Sequence, residues 1–269
     1  MPDLAGVRRQ RILELLHTEG SVRVSDLSLR FRVTPETIRR EINRLADEGR
    51  LLRIHGGAVL PTGIPEEPFP RRLSRQLTEK GAIAAAAADL VEEGDTIVLD
   101  ASTTALALGR ALAERQTANL VVLTNGAELP LHVGASAAIA VLCLGGSMRW
   151  RSRSYVGPLT VGALSQYRVR KAFISCQGFT LDSGPSESND DDAQVKSAMV
   201  RAATEVILLV DHTKWGRNAL VPICPLTGIR RLITDREPPP AERDHLARMG
   251  IELRIAQPRH LTRTGGSAK

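Results

Sequence analysis

The stretch VRVSDLSLRFRVTPETIRREINRLADEGRLLRIHGGA, Val22 to Ala58, decides the reading of the chain, because spacing, capping and charge within it support one structure. Ser25 is placed to cap a short helix that carries Leu27 and Phe31 at i, i+4, and Val33 follows in a tight turn. Thr34 then caps a second helix with Pro35 at its first position, where the missing N–H costs nothing. On a helical wheel Ile38, Ile42 and Leu45 fall within about 60° of one another, whereas Glu36, Arg40, Asn43 and Arg44 occupy the opposite side. Gly49 stands where a glycine ends such a helix, and Leu51 to Ile54, His55-Gly56-Gly57 and Ala58 to Leu60 read as a two-stranded ribbon. The whole is a winged helix-turn-helix.

The second helix has the form that enters a DNA major groove with its first residues at the base edges. Thr37, Arg40, Arg39 and Asn43 are the candidates for base contact, with Thr34 at the helix start. Arg44, Arg53 and His55 are the candidates for phosphate or the groove edge. Glu36 either accepts from a cytosine or pairs with Arg40 at i+4. Upstream, Val7 to His17 predicts a bracing helix with Val7, Ile12, Leu15 and Leu16 inward. Arg8, Arg9 and Arg11 are expected outward, Arg8 and Arg9 either on phosphate or simply solvated.

The full 269 residues carry a net charge of +6 and a pI near 9.7, which permits a polyanionic partner. Residues 1 to 60 hold eleven arginines, no lysine and eight acids, a net +3; the remainder holds 25 basic and 22 acidic residues, again +3. DNA binding must therefore rest on where the arginines stand more than on bulk charge. No run approaches the roughly 18 apolar residues that span a bilayer, and the N-terminal arginines lead into no secretory signal. Cys143, Cys176 and Cys224 are odd in number, far apart and set in apolar runs, which reads as buried reduced thiols in a cytoplasmic protein. The histidines form no ligand cluster, so neither a metal nor another cofactor is expected.

The proline-rich segment 61–70 predicts a linker between a DNA-binding domain, residues 1–60, and a second domain, residues 71–256; residues 257–269 read as a disordered tail. Arg71 to Val91 predicts a helix whose alanine-rich half packs closely, as against a sheet. Seven apolar strands are then expected at Thr96–Asp100, Leu120–Thr124, Ile139–Leu144, Lys171–Cys176, Val206–Asp211, Leu232–Thr234 and Ile251–Ile255, with helices between most of them. This pattern predicts an α/β domain with a largely parallel sheet covered on both faces, binding its ligand beyond the carboxyl ends of the strands.

The loops at those ends supply the candidate site. Asp100-Ala101-Ser102-Thr103-Thr104 leaves a strand and opens a helix, where free N–H groups and three hydroxyls can hold an anion, or where Ser102 merely caps the helix. Thr124-Asn125-Gly126 and Gly145-Gly146 follow strands in the same way. Lys196 and Lys214 are the candidate cations for a phosphate, or are ordinary exposed lysines.

Two sets of residues resemble the DeoR family of bacterial transcription regulators. In the first part they are Leu27, Phe31, Val33, Thr37 to Glu41, Leu45, Gly49 and Arg53 to Ala58. In the second they are Asp100 to Thr104, Thr124-Asn125, Gly145-Gly146, Gly178, Lys196, Asp211 with Lys214, and Ile233 to Asp235. The resemblance implies a sensor domain similar in fold to ribose-phosphate isomerases and coenzyme A transferases. It further implies that a phosphorylated sugar or related metabolite binds there and alters DNA affinity.

Two segments depart from that pattern. Leu181 to Asp192 carries five acids, expected to face solvent or to cap a helix starting at Ala193, with one or two free to hold sugar hydroxyls. Ser147 to Ser154 places Arg149, Arg151 and Arg153 on one side of an extended chain, either as a solvated loop or as a phosphate clamp or subunit contact. The expected function is a repressor, a symmetric dimer or higher oligomer on repeated half-sites. The alternative is a sugar-phosphate isomerase-like or coenzyme A transferase-like enzyme with a DNA-binding head. It is weakened because Ser175 to Thr180 holds no carboxylate for proton transfer.

Overall fold

Residues 4–19, 21–48, 50–54, 56–59, 66–133, 136 and 138–257 are described by the computed structural model, which divides the chain into two units, Met1–Glu67 and Pro68–Lys269. Among the described residues the first unit has three helices: α1 (Leu4–Glu19), α2 (Val24–Phe31) and α3 (Pro35–Asp47). Their apolar stripes meet in one core, where Ile12, Leu16, Leu27, Ile38, Ile42 and Leu45 are fully buried. Val7, expected inward, is instead 64% exposed.

Three short strands make the wing: β1 (Ser21–Arg23), β2 (Leu52–Ile54) and β3 (Gly57–Val59), in the order β1-β3-β2 with antiparallel pairing. The expected ribbon thus gains a third strand from just before α2. That strand also corrects the cap: extended Arg23 is the boundary residue, so Ser25 falls inside the first turn and makes no cap bond. A Cβ on Gly57 would lie 2.1 Å from the Val22 carbonyl oxygen, so only glycine lets β3 approach β1 this closely. Gly49, expected to end α3, and His55 lie outside the described residues.

The second unit begins with α4 (Phe69–Ser74) and α5 (Leu77–Ala88), where one helix over Arg71–Val91 was expected. The break falls at Arg75, which is extended, and Gln76, which is left-handed. Its physical cause is Lys80, whose ammonium takes the Arg72 and Arg75 carbonyls and so ends α4. Phe69 and Pro70, placed in the linker by composition, are helical, with Phe69 buried; residues 61–65 of that linker lie outside the described residues.

There follow β4 (Thr96–Leu99), α6 (Thr103–Arg115), β5 (Leu120–Thr124), α7 (Leu129–Val133), β6 (Ile139–Cys143), β7 (Ser147–Arg149), β8 (Ser154–Val156) and α8 (Pro158–Ser165). The chain continues through β9 (Val169–Ile174), β10 (Gly178–Thr180), β11 (Gly184–Glu187), α9 (Asp190–Ala202) and β12 (Ala203–Leu209). It ends with β13 (Val221–Pro222), β14 (Arg231–Thr234), α10 (Pro240–Arg248) and β15 (Glu252–Ile255). Residues 258–269, most of the expected tail, lie outside the described residues.

All seven expected strands join one sheet in the order β15-β14-β12-β9-β4-β5-β6, and every pairing in it is parallel. Alternate residues serve opposite faces. Val98, Ala172, Ile174 and Leu208 pack with Val195 and Met199 of α9, whereas Ile97, Leu99, Phe173 and Ile207 pack with the alanines of α5 and the leucines of α6. At the edge, β6 leaves Cys143 exposed, so the expectation of three buried thiols holds only for Cys176 and Cys224. Burial pushes those two thiols up to about 12 and about 11, which keeps them protonated and inert.

Two small antiparallel pieces lie outside the main sheet: the β7–β8 hairpin and the ribbon β10-β11-β13. Neither was expected.

Candidate functional site

In the first unit the candidate surface is the outer face of α3. Thr34 caps the helix by accepting from the Thr37 N–H at 3.3 Å, and the two threonine hydroxyls meet at 2.9 Å. Arg40, Arg39 and Arg44 have side chains 80, 61 and 65% exposed. Their partners are neighbours on the same helix or at its end: Glu36 lies 3.5 Å from Arg39 and 3.7 Å from Arg40, and Glu48 lies 3.4 Å from Arg44. Asn43 and, on β2, Arg53 are also exposed. Arg8, expected on phosphate or in solvent, is instead committed inside the unit. Its Nε lies 2.8 and 2.9 Å from the two carboxylate oxygens of buried Glu41, fastening α1 to α3.

In the second unit the polar residues gather at the carboxyl ends of β4, β9 and β12. Asp100, just past β4, is buried; one oxygen accepts from the Ser102 N–H at 3.0 Å and the other from the Ser175 N–H at 2.9 Å. Ser102 caps α6 through the Ala105 N–H at 3.0 Å, with Thr103 and Thr104 buried in the first turn.

Lys196 reaches this point from α9. Far from being an exposed lysine, it is 8% exposed, 2.9 Å from Asp100, 2.7 Å from the Ser175 carbonyl, and paired with Glu187. Burial opposes its charge, but Asp100 and Glu187 prevail and hold its pKa well above the ordinary lysine range. Burial raises the Glu187 carboxyl, against the pull of Lys196 and with the help of Asp192. Two carboxylates thus surround one ammonium.

Lys214 closes the short 3-10 turn after β12, which Asp211 caps through the Thr213 N–H at 3.0 Å. Its side chain is half-buried and makes no hydrogen bond or ion pair among the described residues. It lies near enough to buried Lys80 to lower that group. Desolvation leads, with Lys214, Arg72 and Arg75 adding and Asp211 opposing, and the Lys80 pKa falls to about 8.

Thr124, fully buried, accepts from the Gly126 N–H at 2.9 Å. Asn125 is clamped to β8, its amide donating to the Tyr155 carbonyl at 3.0 Å and its carbonyl accepting from the Tyr155 N–H at 2.7 Å. Its side-chain oxygen is buried without a partner among the described residues. This loop abuts the first one, since a Cβ on Gly126 would lie 3.2 Å from the Ala101 Cα. Gly146 has a structural reason to be glycine, with φ at +120° and a Cβ position 2.1 Å from the Thr160 hydroxyl; Gly145 accepts from that hydroxyl at 2.6 Å. Gly178 starts β10 opposite Ser186, whose hydroxyl it accepts at 3.1 Å.

Both departing segments have buried members, although Asp182, Asp190 and Asp191 are exposed as expected and Trp150 stands in solvent. Asn189 caps α9, which begins at Asp190, three residues ahead of the expected start at Ala193, and Glu187 and Asp192 are buried. Asp192 takes Arg149 and the Ser154 hydroxyl, and Arg153 pairs with Glu128, so these arginines form no solvated basic loop. Glu187 is the residue that sequence reasoning missed. Its signal was a lone glutamate nine positions before the lysine. Among the described residues no three His, Cys, Asp or Glu side chains gather to hold a metal ion, and no helix is long and apolar enough to cross a membrane.

Residues 8–63 match the family model described as the DeoR-like helix-turn-helix domain, and residues 75–236 match the DeoR C terminal sensor domain. A helix-turn-helix joined to a sensor domain defines a DNA-binding regulator of transcription. This chain belongs to the DeoR family. It is 39% identical over 239 residues to the uncharacterized HTH-type transcriptional regulator YulB of Bacillus subtilis, covering 88% of this chain and 92% of that one. It is 31% identical over 248 residues to the glycerol-3-phosphate regulon repressor of Escherichia coli, covering 92% and 98%. Among solved structures it is similar to ribose 5-phosphate isomerase A of Methanocaldococcus jannaschii, with 19% identity, 51% and 53% coverage and a TM-score of 0.38. The translation initiation factor eIF-2B of Pyrococcus horikoshii gives 13% identity, 85% and 81% coverage and 0.42.

Proposed function

We propose that the protein is a repressor that grips operator DNA with α3 and lets go when a phosphorylated sugar or similar metabolite fills the polar site of the sensor domain. The observation that carries this reading is the two-sided character of α3. Ile38, Ile42 and Leu45 fix its inner face, while Arg39, Arg40, Asn43 and Arg44 stand in solvent with only weak partners to give up. Thr37, Arg39, Arg40 and Asn43 are assigned to base edges, Arg44, Arg53 and His55 to the sugar-phosphate backbone, and Thr34 and Glu36 to the helix start. The glycerol-3-phosphate regulon repressor of E. coli supports both the repressor role and the class of effector.

Within the sensor, Lys196 is already occupied by two carboxylates, so the phosphate is assigned to Lys214 and the first turn of α6 at Ser102, Thr103 and Thr104. Asp100, Glu187 and the unpartnered oxygen of Asn125 are acceptors for sugar hydroxyls. Thr124, Gly145, Gly146 and Gly178 shape the surrounding loops. The protein acts in the cytoplasm as a symmetric dimer or tetramer and performs no catalysis.

Thermal unfolding of the full chain during titration with a panel of pentose, hexose and glycerol phosphates tests the sensor. The compound it recognises adds about 2.7 kcal/mol at 100 times its dissociation constant. No shift with any of them, or turnover of one, contradicts the reading.

A further inference from the structure

Helix α4 is the first element after the DNA-binding unit in sequence, and it is fastened at both ends. At its start Phe69 is 2% exposed, and its N–H donates to the Arg151 carbonyl, in the turn of the β7–β8 hairpin, at 2.8 Å. The Phe69 ring is faced by the guanidinium groups of Arg72 and Arg153, each 5.5 Å from its centroid. At its far end Lys80 takes the Arg72 and Arg75 carbonyls.

The hairpin is in turn fastened to α9. Arg149 pairs with Asp192 and donates to the Ser152 hydroxyl at 3.0 Å, while the Ser154 hydroxyl donates to the other Asp192 oxygen at 2.7 Å. One helical turn along α9 from Asp192 stands Lys196, which holds Asp100 and Glu187. A continuous set of buried and part-buried polar contacts therefore runs from the polar site to Phe69, the first residue of α4.

We propose that α4 is the coupling element of this regulator, and that the Asp192–Arg149 pair and the Phe69–Arg151 bond pass displacement of α9 to the chain entering the DNA-binding unit. The purpose of the device rests on the regulatory reading above, but the mechanical link does not. Close-packed, ion-paired elements shift as units, so a ligand whose hydroxyls pull on Asp100 or Glu187 carries Lys196 with them, moves Asp192 one turn away on the same helix, and loads the hairpin.

Hydrogen exchange on the full chain separates the two. In Asp192→Asn the Phe69, Arg71 and Arg72 amides exchange about tenfold faster while amides of β4 and β9 stay within about twofold. Arg149→Gln, which cuts the same pair from the other side, gives the same pattern should the first variant fold poorly. Unchanged α4 amides in a folded variant, or loosening spread evenly over β4 and β9, overturn the proposal.

Phe69→Leu gives the functional arm, with glycerol 3-phosphate and hexose phosphates as probes. Where one of them releases wild-type protein from DNA, the variant still binds that compound in a thermal titration, yet its effect on DNA affinity falls about fivefold or more. Full retention of the response overturns the proposal. If no probe affects the wild type, the effector reading fails, and the exchange result alone decides the coupling.

Discussion

On the outer face of α3 the ion pairs lie at 3.4 to 3.7 Å between side chains 41 to 80% exposed, whereas at the carboxyl ends of β4 and β9 Lys196 sits at 2.9 Å from an Asp100 carboxylate that is fully buried. Both regions are rich in charge, and they use it oppositely. Exposed helix pairs are worth a few tenths of a kcal/mol, so the arginines of α3 can trade Glu36 and Glu48 for DNA at almost no cost. Buried charges cannot be separated without stranding one of them, so the Asp100–Lys196–Glu187 cluster keeps a fixed geometry. The head is built to change partners and the sensor to hold them.

The sharpest break of that contrast is Lys196→Met. It leaves two buried carboxylates facing each other, and the sensor domain is expected to lose about 3–5 kcal/mol in denaturant unfolding. A loss under about 1 kcal/mol would mean the cluster relaxes into solvent and fixes nothing.

Arg40→Ala is the counterpart on the head. Operator affinity should fall by about 1–3 kcal/mol with specificity relaxed at one base, while unfolding changes by no more than about 0.5 kcal/mol. Arg44→Ala should weaken operator and random DNA alike and flatten the salt dependence by about one unit of slope. Equal behaviour of Arg40→Ala and the parent on the operator would remove Arg40 from the interface.

A smaller effect separates a real cap from an apparent one. Thr34→Ala is expected to cost the head about 1 kcal/mol, and Ser25→Ala close to nothing, since Ser25 makes no cap bond. Reversed values would mean that α2 begins where its sequence suggests.

The last effect is read through pH and concerns Lys80, lowered to about 8 from an ordinary 10.5, chiefly by burial. The unfolded chain then holds the proton more tightly than the folded one, so the penalty is complete below about pH 8 and is relieved as pH rises towards 10.5. Wild type should therefore gain stability relative to Lys80→Met over that window, read as the difference in melting temperature at pH 7 and pH 10. A gap that stays constant would show Lys80 titrating normally.

What could be read from the sequence was whatever depends on local periodicity. The apolar stripe of α3, its Thr34–Pro35 start and the seven apolar strands are each set by residues within a turn or a strand of one another. Contacts that join distant positions were illegible. Ser25 is as good a cap as Thr34 by composition, and only the pairing of β1 with β3, at Arg23 and Gly57 thirty-four residues on in the chain, displaces the helix start. Lys80 ends α4 by reaching back to Arg72, a bond no helical periodicity announces.

The candidate site divided in the same way. Asp100, Ser102, Asn125 and Lys196 could be picked out because each stands beside a strand end or on a helix aimed at one. Glu187 and Asp192 could not be told apart from the three acids beside them, because five acids in twelve residues look like surface or a helix cap, yet each had a cation waiting from another part of the chain, Lys196 and Arg149. Arg8 was misread for the same reason, its partner Glu41 lying on another helix.

The most direct test is fluorescence anisotropy of the full chain on the DNA upstream of its own gene, at fixed salt, with and without the panel of sugar phosphates. The account predicts a specific complex that one phosphorylated compound releases. Sequence-independent binding that no compound alters would contradict it.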